Sequence, residues 1–283
     1  MQQVSASPAW AQKAFFTAGL GFLALAKVKN LITGYSTPKP FAIDETDRCI
    51  DYALSLGDKY IGFLRQRGVD ITGRRILELG PGSDLGVGLH LVRHGAAGYV
   101  GFDRNNLAGR VPDAFYARMA SRGLADPAAL HDGRVAYVVD ERFDVSTLDG
   151  HHDIVLSNAA FEHFDDVERT VSQLQQVVRP GGVALIGVDL QTHSRWIRER
   201  DPNNIYRYPE SLYRLFSFPG QPNRLRPQAY RTFFERHGWQ DVTLTPHECV
   251  PPALAATLAP PFCHDAQADW LSFTLFARKA AQA

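Results

Sequence analysis

Cysteine is scarce and net charge is absent. Only three cysteines occur in 283 residues (Cys49, Cys249 and Cys263), and no two of them form a CxxC pair. Three separate thiols cannot frame a disulfide scaffold or a thiolate zinc site, so a reducing compartment without structural zinc is the economical reading. Thirty basic groups balance thirty acidic ones, which excludes bulk electrostatic capture of nucleic acid and leaves only a local patch open. Internal repeats and low-complexity tracts are missing too. What is present is apolar material, 45% of the chain. That excludes a mainly disordered protein and suffices for one large domain, or one domain plus a cap.

Ala14 to Ala26 is a charge-free run of thirteen residues between Lys13 and Lys27. It is too short to span a bilayer, which needs roughly 20 residues. Three readings remain: a signal-peptide core with Ala24-Leu25-Ala26 as its A-x-A site, an interfacial membrane helix, or a cap helix packed on the domain. The long preceding segment carries only Lys13, which argues against secretion. The packed cap is preferred and the expected location is cytoplasmic, with peripheral membrane contact through residues 14–26 left open.

Beyond it, Asp44 is a plausible N-cap for a helix to about Gly68, with Ile50, Ala53, Leu54, Ile61 and Leu64 at helical spacing. Strands then alternate with helices. The strands are read at 74–80, 99–103, 135–140, 152–158 and 183–190, the helices at 84–95, about 112–124 and about 167–178. This rhythm predicts an α/β fold with a parallel, doubly wound sheet. Residues 191–226 break it, being rich in Arg, Tyr, Phe, Pro and Asn. A helix (227–238) and two closing strands (241–250 and 270–279) follow.

The sharpest feature is Glu78-Leu79-Gly80-Pro81-Gly82-Ser83-Asp84-Leu85-Gly86, between a strand and a helix. Glycines there allow a tight turn and close approach of a ligand to the sheet edge. Asp103 ends the next strand, 21 residues after Gly82, where a carboxylate can accept from both ribose hydroxyls. A dinucleotide fits poorly: Leu85 stands where its third glycine belongs, and Glu78 would oppose a pyrophosphate. No GxxxxGK[ST] loop occurs.

ILELGPG (76–82), the Asp103 strand end, SNAAFEHF (157–164) and VVRPGG (177–182) together resemble class I S-adenosylmethionine-dependent methyltransferases. The resemblance holds in register over about 70–190 and more loosely over 227–280. It implies a Rossmann-like sheet of seven strands, the last antiparallel, with S-adenosyl-L-methionine as cofactor. It further implies that Glu78, Gly80 and Gly82 lie along the methionine part, that Asp103 holds the ribose, that Asp140 lies near the adenine, and that Asn158 lies beside the sulfonium. Asp84 departs from the family's common third glycine; an N-cap of the next helix is favoured over a contact to the cofactor ammonium. A nicotinamide oxidoreductase and a non-catalytic Rossmann-like binding module are the rival classes.

An acceptor must lose a proton, and two histidines fall where strands deliver residues to the cleft. His193 is favoured as the base and His163 is the alternative, one but not both; each has an equally weighted structural reading. Glu162-His163 is similar to part of a metal-binding ExxEH cluster, but Ala159 replaces the first carboxylate, so no metal is expected. His151 and His152 are assigned to the turn entering the fourth strand. The domains are read as a helical cap (1–69) and a catalytic domain (70–283) with a substrate lid inserted after strand five (191–226). The lid's aromatics and arginines either wall off water and hold a carboxylate or phosphate of the acceptor, or form a helical cap with core aromatics and solvated arginines, and the cap is preferred. The acceptor is expected to be a small molecule or glycan-like, methylated at oxygen rather than nitrogen. SNAA in place of (D/N)PPY argues against nucleic acid, and the oligomeric state stays open.

Overall fold

The computed structural model describes residues 2–3, 9–34 and 46–281. Seven long strands form one sheet: β1 (Arg75–Leu79), β2 (Gly98–Asp103), β3 (Val135–Val139), β4 (His152–Asn158), β5 (Val178–Asp189), β6 (Trp239–Cys249) and β7 (Trp270–Lys279). Their order is β6-β7-β5-β4-β1-β2-β3, and the Gln2–Gln3 dipeptide adds a short parallel pairing outside β6. β7 runs antiparallel to both neighbours, while β1 to β5 are parallel. The sheet is thus the Rossmann-like arrangement with an antiparallel last strand.

Parallel strands covered on both faces must be apolar on both, and these are. Leu77, Leu79 and Val155 face one core, whereas Ile76, Ile154 and Leu156 face the other, following the two-residue period of a strand. Against the second face pack α2 (Thr46–Gln66), α3 (Gly86–Arg93) and α4 (Asp113–Ser121). The other face carries α5 (Val167–Val177) and α8 (Pro227–Arg236). Asp44, the expected cap of α2, lies outside the described residues. The RPGG segment, which the sequence reading leaves between a helix and a strand, lies inside β5: the β4–β5 register jumps from His152↔Val178 to Ile154↔Val183, so these residues bulge out of the ladder.

Between β5 and α8, residues 191–226 contribute α6 (Arg195–Arg198) and α7 (Glu210–Leu215). Tyr206, Tyr208 and Tyr213 are buried in the main core. Three of the arginines offered by the sequence turn inward. Arg207 grips buried Asp201 at 2.7 and 2.9 Å, Arg224 donates to the carbonyls of Ile205 and Tyr208, and Arg226 donates to that of Trp270 while lying over the Tyr206 ring. Arg207 and Arg224 are also ion-paired, with Asp201 and Glu210, so their buried charge organises the segment.

The N-terminal helix departs most from expectation. α1 (Ala9–Thr33) runs well past the charge-free segment, and Lys13–Thr33 is long and apolar enough to cross a membrane by length and composition. Only one face packs. Phe16, Leu20 and Leu23 touch the core, and Gly19 lets the helix close on Asn204 and Tyr208, where a Cβ would collide with Asn204 Oδ1. Phe22, Leu25, Val28, Leu31 and Ile32 are exposed. The preferred reading of a packed cap therefore describes half the helix; the other half is an open apolar stripe beside Trp196 of α6.

Candidate active site

Because β1, β2 and β3 step outward one way and β4 starts again on the other side of β1, the loops part above the carboxyl ends of β1 and β4. Open α/β sheets hold ligands at that switch point. A cleft of about 900 Å³ lies there, reached by Glu78, Gly80, Gly82, Asp84, Asp103 and Asn158. The turn after β1 depends on glycine: Gly80 and Gly82 sit at φ +69° and +84°, and a Cβ on Gly80 would come within 2.6 Å of Ala160 Cβ.

Three carboxylates converge on this cleft without a cationic partner among the described ion pairs. Glu78 is buried and accepts hydrogen bonds from the hydroxyls of Tyr60 (3.0 Å) and Tyr99 (2.5 Å); burial pushes its pKa up to about 7. Asp84 accepts from the Gly86 N–H at 2.8 Å, so it caps the start of α3 from two residues upstream, and burial lifts it to about 6. Asp103 accepts from the Asn105 N–H at 2.9 Å, and burial raises it to about 6 as well. Desolvation disfavours these negative charges, and a cationic ligand would offset that penalty. S-adenosylmethionine carries two positive centres, so the residues fit it; a pyrophosphate would meet repulsion.

Asn158 closes β4 and donates to the hydroxyl of Tyr52 at 3.2 Å. Its position depends on Gly187 of β5, where a Cβ would lie 2.6 Å from Asn158 Oδ1. The next residue, Ala159, takes the unusual φ of +51° and donates its N–H to the Gly187 carbonyl. Asp140 caps its own turn, accepting from Arg142 N–H at 2.8 Å, and Arg142 and Phe143 line the cleft at that corner. Tyr52 and Arg48 of α2 form a further wall that the sequence reading missed. Their one signal was a polar stripe, spaced four apart, on an otherwise core-facing helix.

His163 and His193 come together. Their Nε2 atoms are 3.0 Å apart, while His163 Nδ1 donates to the Gly220 carbonyl (2.8 Å) and His193 Nδ1 to that of Gln191 (3.1 Å). Burial, joined by His193 for His163 and by Arg198 for His193, holds each pKa down to about 4, so both rings are neutral at pH 7. The expectation of one isolated base meets a physical obstacle: each Nε2 faces the other ring. Glu162, buried behind them, lies with both histidines inside 4.8 Å, although Ala159 gave the sequence grounds to expect no metal cluster. His152 begins β4 as a buried residue, and the other half of the pair, His151, is exposed beside it.

A family model described as a methyltransferase domain matches residues 53–244. No curated protein sequence matches the chain. Among solved structures, a candidate O-methyltransferase from Nostoc punctiforme is similar at TM-score 0.53 and 16% identity, over 94% of this chain and 69% of that one. An S-adenosylmethionine-dependent methyltransferase from Mesorhizobium loti (TM-score 0.46, 18% identity, 77% and 96% covered) and magnesium protoporphyrin IX methyltransferase from Synechocystis (0.45, 13%, 93% and 99%) are also similar. At such identity the Nostoc match speaks to the fold, while the family match covers most of the chain. The chain belongs to this methyltransferase domain family and is a class I S-adenosylmethionine-dependent methyltransferase.

Proposed function

We propose that the enzyme methylates a hydroxyl oxygen of a small, largely apolar acceptor. One observation carries this reading: His193 lines both the donor cleft and a second cavity of about 250 Å³ walled by Phe22, Leu23, Ile197, Ile205, Tyr213 and Phe218. An acceptor seated in that apolar space would present its polar end to the two imidazoles. Bound S-adenosylmethionine supplies an electrophilic methyl group. On the protein side, Asp103 would accept from the ribose hydroxyls, Glu78 and Asp84 would offset positive charge, and Gly80 and Gly82 would leave room for the methionine part. Asn158 and Tyr52 would stand at the junction of donor and acceptor. The walls exclude water and hold the acceptor in line, which is most of what such a displacement needs. The acceptor's proton would be drawn off on the imidazole side.

The same reading treats residues 1–69 as a cap and 191–226 as the acceptor wall of the catalytic domain, 70–283. It also gives the open stripe of α1 a use, as a peripheral contact with a membrane interface from which apolar acceptors enter. The test is a screen of hydroxylated and aminated apolar compounds with methyl-labelled S-adenosylmethionine, followed by mass spectrometry of the product. Labelled methyl ethers support the proposal; turnover confined to amines would replace it with N-methylation, and turnover of sugars alone would remove the apolar acceptor.

A further inference from the structure

We infer that Glu162, His163 and His193 form a binding site for one divalent transition-metal ion at the acceptor end of the cleft. The contacts around the two rings need more protons than the rings hold. Carbonyl oxygens only accept, so the contacts of Gly220 O and Gln191 O each require a proton on the Nδ1 they face. A neutral imidazole holds one proton, and both are then spent. The two Nε2 lone pairs are left pointing at each other across 3.0 Å. Moving a proton to either Nε2 satisfies that contact and opposes a lone pair to a carbonyl elsewhere. Three contacts share two protons, and no choice of neutral tautomers removes the deficit.

A cation between the Nε2 atoms removes it. Two imidazole donors 3.0 Å apart suit a single ion at metal–nitrogen distances of roughly 2.0 to 2.1 Å, with an angle between them close to a right angle. Glu162 supplies the independent observation. It is 2% exposed, and neither carboxylate oxygen has a well-formed hydrogen bond, the N–H groups of Glu162 and Asp189 offering only weak ones. Leaving such a carboxylate unpartnered is costly, and buried polar groups without partners are uncommon. One carboxylate oxygen of Glu162 and one ring nitrogen of each histidine lie within 4.8 Å of one another. Backbone carbonyls on the far nitrogens are what orient ligating histidines in metal sites. Two imidazoles and one carboxylate suit zinc, iron, cobalt or manganese and leave coordination positions free. Both histidines line the donor cleft, so those positions face the acceptor. The site's role rests on the proposed O-methylation: the ion would bind the acceptor oxygen and lower its pKa. Its existence does not.

The experiment uses full-length, untagged protein stripped with a chelator and titrated with Co²⁺, read by visible absorption and calorimetry. S-adenosylmethionine affinity is measured alongside. Expected is one tight Co²⁺ per chain with ligand-field bands, weakened at least about 100-fold by His193→Ala and by Glu162→Gln. A separate cluster, Asp58 and His90 with His94, lies between α2 and α3; His94→Ala there should leave the cobalt affinity unchanged. His193 lies on the wall of the cleft, so its variant should fold, and thermal melting checks this. Cobalt affinity equal in His193→Ala and wild type overturns the site, as does a proton shared between the rings in ¹⁵N spectra with no cobalt bound. Either result with S-adenosylmethionine still bound leaves the methyltransferase assignment standing; failure of S-adenosylmethionine to bind counts against that assignment alone.

Discussion

Replacing Asp103 with asparagine keeps the shape of the side chain and removes its charge, and the structure sets opposite signs for the two consequences. In the complex, the carboxylate would accept from two ribose hydroxyls, whereas an amide keeps one acceptor oxygen. Hydrogen bonds to a charged acceptor contribute about 1.5 to 3 kcal/mol each, so a loss of about 2 kcal/mol, about 30-fold in Kd, is expected. In the free protein the sign reverses. Burial raises the folded-state pKa of Asp103 to about 6, above the unfolded value of roughly 3.9. A carboxyl raised in this way contributes stability while protonated and loses that contribution as pH rises through about 6. At pH 7.5 the asparagine variant should therefore melt a few degrees higher than wild type without ligand. Affinity should also depend on pH. With a pKa of about 6, about nine-tenths of Asp103 is protonated at pH 5, which would weaken wild-type binding about tenfold relative to pH 7.5. Glu78 and Asp84 titrate in the same window, so the diagnostic quantity is the difference in slope between wild type and variant. Calorimetry from pH 5 to 7.5 measures it. Equal affinities, or identical slopes, would refute the assignment of Asp103 to the ribose.

Four further outcomes follow from contacts described above. Gly187→Ala places a Cβ 2.6 Å from Asn158 Oδ1, so kcat should drop at least about tenfold with little change in the melting temperature; unchanged kcat would remove Asn158 from the reaction centre. Gly80→Ala combines a φ of +69° with the contact to Ala160 Cβ and should destabilise the fold by about 1 to 3 kcal/mol, read by urea denaturation. Because His163 and His193 touch, His163→Ala, His193→Ala and the double variant should lose similar factors in kcat; additive losses in a double-mutant cycle would show independent roles. Leu25→Glu with Ile32→Glu should abolish cosedimentation with anionic vesicles if the exposed stripe of α1 meets a membrane, and undiminished pelleting would exclude that face.

The parallel sheet was legible because β1, β2 and β4 are short apolar runs closed by a Gly, an Asp and an Asn, each at the edge where a ligand sits. Elements there were placed to within a few residues. The lining of the cleft over β1 and β2 was legible for the same reason: Gly80, Gly82 and Asp103 are local requirements of one turn and one strand end. The acceptor side was not. Tyr52 reaches Asn158 across 106 positions of chain, and His163 reaches His193 across 30, and no periodicity records such contacts. The arginines of 191–226 misled for a related reason, since Arg207, Arg224 and Arg226 look alike in sequence to solvated ones until Asp201 and the backbone carbonyls are seen to hold them. α1 was misjudged because its charge-free run ends at Ala26, whereas the helix continues through Lys27 and Lys29 to Thr33.

The central claim is that the carboxylate-lined cleft over β1 and β2 binds S-adenosylmethionine as methyl donor. Titration calorimetry of the full-length protein with S-adenosylmethionine, repeated with NADH, tests it most directly. One S-adenosylmethionine should bind per chain, more weakly in Asp103→Asn, and NADH should show no measurable binding. Tighter binding of NADH, or S-adenosylmethionine binding indifferent to Asp103, would contradict it.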